Sequence, residues 1–133
     1  MRTEEMIATH PDVRGNVNSA LIEAIDAAYA CAETCTSCAD ACLAENMVAE
    51  MRQCIRLNLD CADVCLATGT ILIRRTGSNE EVARKMLEAC MTACRLCGDE
   101  CGRHASQHRH CGICAESCRN CASACENALR SMS

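Results

Sequence analysis

Almost all cysteines of this chain recur at alternating intervals of four and three residues, and that spacing limits the fold more than any other feature. The runs are Cys31, Cys35, Cys38, Cys42; then Cys54, Cys61, Cys65; then Cys90, Cys94, Cys97, Cys101; then Cys111, Cys114, Cys118, Cys121, Cys125. Residues three and four apart stack on one face of an α-helix, whereas a strand would send them to both faces. At about 100° per residue, the runs form stripes roughly 60–80° wide and about 16–21 Å long. Cysteine therefore takes the positions where a helical bundle places leucine. The predicted interior is a column of thiols, and such a column suits a soft metal ion.

Composition supports helix and little else. Phe and Trp are absent and Tyr29 is the sole aromatic, so the usual bulky core fillers are missing. A single proline, Pro11, and no period-two runs of β-branched residues argue for an all-α chain of one domain, residues 1–133. Residues 1–11 form an N-terminal extension or short helix, with Thr3 as its expected cap. A net charge of −5, with no basic patch and no stacking aromatics, excludes nucleic acid as a partner. The acidic N-terminal stretch Met1–His10 has no apolar core of a secretory signal, and no segment has the length and apolarity of a membrane span. The expected compartment is the cytoplasm, where thiols stay reduced.

The pattern divides into four long helices. The first runs from within 12–19 to about Glu45 and the second from about Val48 to Arg74. After the turn Arg75-Thr76-Gly77-Ser78, the capping-box pattern Ser78-Asn79-Glu80-Glu81 opens the third, which continues to Gly102 or His104. Ser106 is the expected cap of the fourth, which runs to about Arg130. Short connections imply an antiparallel up-down-up-down four-helix bundle with a cysteine-lined interior.

That topology sets relative depth. Counting inward from the end that carries the first and third turns, the layers are Cys42, Cys54, Cys101, Cys111; then Cys38, Asn58, Cys97, Cys114; then Cys35, Cys61, Cys94, Cys118. Cys31, Cys65, Cys90, Cys121 and Cys125 lie deepest. Asn58 occupies the register position between Cys54 and Cys61, as a neutral oxygen ligand or a polar substitute. The opposite end is expected to be an apolar plug of Val17, Leu21, Ile25, Leu66, Ile71, Leu72, Ile73, Val82, Met86, Leu87, Leu129 and Met132. At the outer turns, Met47, Met51, His104, His108 and His110 suggest a mouth with transient metal sites. The plainer alternatives are solvated histidines and core methionines. His10 and Tyr29 read as structural.

Charge discriminates among metals. Iron–sulfur loop signatures are absent. Four Zn(II) in sixteen thiolates would leave a buried charge of about −8, which is strongly unfavourable. One Cu(I) per thiolate neutralises the column, and Cu(I) accepts two or three sulfurs. Thiols buried without metal are expected to stay protonated, so that loading exchanges protons for metal.

With these four stripes and the histidine-bearing turn before the last helix, the chain resembles the cytosolic copper storage proteins, a cysteine-rich four-helix-bundle family of bacteria. The resemblance implies a homotetramer that stores many Cu(I) ions, with all sixteen cysteines as ligands and His104 and His110 as ligands at the mouth. Copper donor or acceptor proteins would be its partners. The expected function is sequestration of Cu(I), with entry or release at the Met/His end and no catalysis. The alternatives are a zinc protein with all-thiolate sites and a thiol redox sensor.

Overall fold

The computed structural model describes residues 1–132. Its helices are α1 (Thr3–Ala8), α2 (Ser19–Leu43), α3 (Arg52–Leu72), α4 (Glu80–His104) and α5 (Arg109–Ser131), with a 3-10 turn at Val48–Met51. The long helices pack in a ring in which α2 touches α3 and α5, and α4 touches α3 and α5. Cys31 of α2 shares a cluster with Cys65 of α3 and Cys121 of α5, and Cys54 faces Cys101 across α3 and α4, as an antiparallel bundle requires. No helix among the described residues is long and apolar enough to cross a membrane.

Helix ends follow different local chemistry from that expected. Asn18 caps α2 by accepting from Leu21 N at 3.2 Å. Ser78 and Glu81 form no capping box: α4 begins behind Asn79 without a side-chain cap, and its first-turn Glu80 and Glu81 act on the helix dipole instead. Ser106 does not cap α5, since His108 takes the N-cap position in extended conformation. Thr3 lies inside α1 rather than capping it; its hydroxyl donates to Asp26 of α2 and staples the N-terminal helix to the bundle. His10 closes the same end by pairing Nε2 with Thr76 Oγ1 at 3.0 Å. Gly77, with φ of 70°, makes the turn into α4, a backbone state that a side chain would strain.

The apolar plug is real but narrower than expected. Ile25, Leu72 and Leu87 are fully buried with Ala24, Ala28 and Ala128. Leu66 and Val82 instead face solvent. Leu66 follows Cys65 by one residue, about 100° from the stripe, and Val82 precedes Cys90 by eight, about 80° from it. Tyr29 packs on α3, where Gly69 admits it: a Cβ at Gly69 would stand 3.1 Å from the ring.

Candidate metal centre

All sixteen cysteines are free and buried, and contacts between their sulfurs extend along the bundle axis. At the deep end Cys90 Sγ lies 3.8 Å from Cys121 and 3.7 Å from Cys65. Cys65 lies 3.6 Å from Cys94, and Cys94 3.7 Å from Cys61. Cys118 contacts Cys31 at 3.8 Å and Cys35 at 3.7 Å, and Cys35 contacts Cys114 at 3.7 Å. Cys54 and Cys101 meet at 3.6 Å in the outermost layer. The layers are staggered rather than flat, because Cys94 bridges Cys61 and Cys65 and Cys35 reaches both Cys97 and Cys114.

These separations fit metal–sulfur chemistry. Bonds of about 2.3 Å place two sulfurs about 3.8 Å apart at a tetrahedral ion and about 4.0 Å apart at a trigonal one. Distance therefore admits both Zn(II) and Cu(I), and charge separates them. Potential ligand sets overlap: Cys31 belongs with Cys65, Cys94 and Cys121 and also with Cys35, Cys61 and Cys118, while Cys35 and Cys118 recur with Cys97 and Cys114. Isolated zinc sites would claim each thiolate once, whereas shared thiolates suit bridged ions, and one Cu(I) per thiolate keeps such a bridged column neutral.

Asn58 completes the second layer as the register requires. It is fully buried, and its Oδ1 accepts from the thiols of Cys97 at 3.0 Å, Cys114 at 3.2 Å and Cys101 at 3.3 Å. Its amide donates to Cys54 Sγ at 3.8 Å. One side chain thus orders thiols from three helices.

Protonation is uneven along the column. Burial pushes the Cys42 thiol up to about 11, and burial together with the charges of Cys42 and Cys54 raises Cys111 further. Cys54 departs from the expected protonated state: the hydrogen bond with Cys101 lowers it to about 7 against the effect of burial, helped by the charge of His104. Deeper in, Cys35 is raised through its contacts with Cys114 and Cys118, and Cys31 is lowered by those from Cys118 and Cys121. The thiols share protons, so one thiolate is favoured by its neighbours' S–H groups and makes the next ionisation harder.

At the Met/His end the outermost thiols, Cys42, Cys54, Cys101 and Cys111, are buried. Each stripe continues by one further step of three: Cys42 to Glu45, Cys54 back to Met51, Cys101 to His104 and Cys111 back to His108. These four side chains form a lid over the outermost layer. Met51 is fully buried because the 3-10 turn tucks it inward, whereas Met47 faces solvent. His104 Nε2 pairs with Glu100 Oε2 at 3.0 Å rather than with a thiol. His110 joins Cys38, Cys42 and Cys111 in one potential ligand set, its Nδ1 lying 3.4 Å from Cys38 Sγ and 3.6 Å from Cys111 Sγ.

Glu45 is the residue that sequence reasoning missed. Its Oε2 lies 2.9 Å from both His110 Nε2 and His108 Nδ1, and those imidazoles stack with centroids 5.6 Å apart. The hydrogen bond from His110, reinforced by the charges of both histidines, holds its carboxyl below the usual carboxylate range. Its position three residues beyond Cys42 was the available signal. His108 Nε2 is buried without a hydrogen-bond partner.

The family profile of the copper storage proteins matches residues 17–130. A Bacillus subtilis (strain 168) relative, the uncharacterized cysteine-rich protein YhjQ, is 32% identical over 103 residues, 77% of this chain and 90% of its own length. The Streptomyces lividans copper storage protein Ccsp loaded with 10 copper equivalents is 47% identical with a TM-score of 0.92, covering 96% of this chain and 98% of that one. A structure of the cytosolic copper storage protein of the same organism with five coppers is 51% identical, with a TM-score of 0.83 over 84% of this chain and 93% of its own.

Proposed function

The chain belongs to the copper storage protein family, and from that premise we propose that it sequesters many Cu(I) ions in the cytoplasm along its axial thiolate column. The observation that carries this reading is the overlap of the ligand sets: Cys31, Cys35, Cys38, Cys114 and Cys118 each belong to more than one. A shared thiolate bridges ions, and one Cu(I) per thiolate leaves the buried column neutral. All sixteen cysteines act as ligands, with His110 completing the set of Cys38, Cys42 and Cys111. Asn58 offers a neutral oxygen, Met51 a thioether and His104 an imidazole at the lidded end. Loading replaces thiol protons with copper, so affinity falls in acid.

The protein is a container rather than a catalyst, since a column of fully buried thiolates leaves no open coordination position for a substrate. The same burial speaks against a redox sensor, whose reactive thiol must meet its oxidant. Association into a homotetramer, and exchange with copper donor or acceptor proteins, belong to this reading through the family likeness.

The test is an anaerobic Cu(I) titration of reduced protein against a chromogenic chelator, with Zn(II) in parallel. Uptake on the order of one Cu(I) per cysteine with unchanged helicity is expected. Saturation at about four Zn(II) with only a few Cu(I) would establish discrete zinc sites instead.

A further inference from the structure

Glu100 is a buried acid beside the thiol column. It retains only 8% exposure, whereas the neighbouring Asp99 faces solvent. An acid is rarely buried without partners, because its charge must leave water. Both of its oxygens are engaged from its own helix: Arg103 donates to Oε1, and Oε2 lies 3.0 Å from His104 Nε2. A carboxylate only accepts, so the neutral His104 ring carries its hydrogen on Nε2 and its lone pair on Nδ1.

His104 stands three residues beyond Cys101, the next step of the thiol stripe on α4. Cys101 Sγ meets Cys54 Sγ at 3.6 Å, and His104 is close enough to Cys54 for the charge of the imidazole to favour the thiolate there. Between α2 and α5 the same arrangement is complete. Glu45 Oε2 lies 2.9 Å from His110 Nε2, and that ring brings its Nδ1 to 3.4 Å from Cys38 Sγ and 3.6 Å from Cys111 Sγ.

We propose that Glu100 is a positioning residue, which fixes the His104 ring so that Nδ1 joins the thiolates of Cys54 and Cys101 in holding one Cu(I). The proposal rests on the storage reading and adds the residue that makes His104 a ligand. Two thiolates and one imidazole nitrogen form a three-coordinate donor set that suits Cu(I). The two thiols give up their protons as the ion binds, while the ring binds through its lone pair and keeps the hydrogen on Nε2. Arg103 occupies the second oxygen of Glu100, so the carboxylate holds one orientation toward the ring. Such a carboxylate also raises the basicity of the donor nitrogen, and its loss weakens a metal site by about 10–100-fold.

Protein carrying nitrogen-15-labelled histidine gives a site-resolved test by NMR at about pH 8, above the usual range of histidine charging. In reduced, metal-free protein the His104 signals should place the hydrogen on Nε2, and Cu(I) loading should shift chiefly Nδ1. Glu100→Gln, of equal size, should mix the two tautomers. A competing chelator should then restore the metal-free His104 signal at about 10-fold lower concentration, with the His110 signals unmoved. In a His104→Ala background the same change should release no further copper. A His104 Nδ1 signal that ignores copper, a tautomer that Glu100→Gln leaves intact, or a copper loss that persists without His104 overturns the proposal. Equal disturbance of His104 and His110 also overturns it, by making Glu100 a support of the whole bundle end. Low Cu(I) capacity of the unaltered protein refutes storage itself, whereas full capacity with His104 Nδ1 unmoved refutes only this site.

Discussion

The two halves of the bundle share one helical scaffold and are filled with opposite materials. At the end holding the α3–α4 turn, Ile25, Leu72 and Leu87 are fully buried in hydrocarbon contact. Toward the other end nearly every inward position is a thiol or Asn58. A buried leucine or isoleucine stabilises the fold by about 1.5–3 kcal/mol whatever the solution holds. A small thiol contributes less, and its contribution changes with protonation and with metal. The difference teaches that the hydrocarbon half holds the helices together, which frees the thiol half to exchange protons for copper without unfolding.

The sharpest way to break that comparison is to exchange the damage. Leu87→Ala, at a fully buried site, should destabilise reduced metal-free protein by about 2–5 kcal/mol in urea unfolding, with copper per folded chain unchanged. Cys94→Ala should do the converse, with a stability loss below about 2 kcal/mol and a measurable loss of bound copper. A loss of capacity in the leucine variant as large as in the cysteine variant would show that the halves are not independent.

The same periodicity made one half easier to read than the other. The four-three register located the thiol layers and Asn58, because a position on a helix fixes its direction and antiparallel packing fixes its depth. Leu66 and Val82 are apolar yet face solvent, because the same register points both outward. The ends were less legible for a different reason. Thr3, Ser78 and Ser106 all carry local capping signals, yet Thr3 is engaged by Asp26 and the starts of α4 and α5 are set by the bundle geometry. Glu45 was legible in principle, being the next step after Cys42, but an acid near a helix end reads by default as solvated.

A second contrast lies in the response to alkali. Burial raises Cys42 to about 11, above the roughly 8.5 of a free thiol, and also raises Cys111. A folded-state value above the unfolded one means the neutral thiol stabilises the fold below about pH 8.5, and that this stabilisation is lost as pH rises toward 11. The metal-free protein should therefore lose thermal stability over that window. The copper-loaded protein, whose thiolates carry no proton, should not. Parallel melting curves of both forms at pH 7.5, 9 and 10.5 check this, and identical alkaline slopes would remove thiol burial as the cause.

The smallest effect is expected at Glu45, where the lid meets the column. The carboxylate accepts from His110 Nε2, which directs the lone pair of His110 Nδ1 toward Cys38 and Cys111. Glu45→Gln removes the charge and presents an amide N–H to one of two imidazoles, so His110 loses its fixed tautomer. The weakest-bound Cu(I) equivalent should then be lost to a competing chelator about 10-fold more readily, with the remaining ions unaffected. Because the folded carboxyl titrates below its ordinary value, its support is complete above about pH 4.3 and is lost as pH falls through the lowered value. At neutral pH the variant and the unaltered protein should thus differ fully, and the difference should vanish in acid. Uniform weakening of every equivalent would instead mean that Glu45 holds the fold of the lid, not the direction of one imidazole.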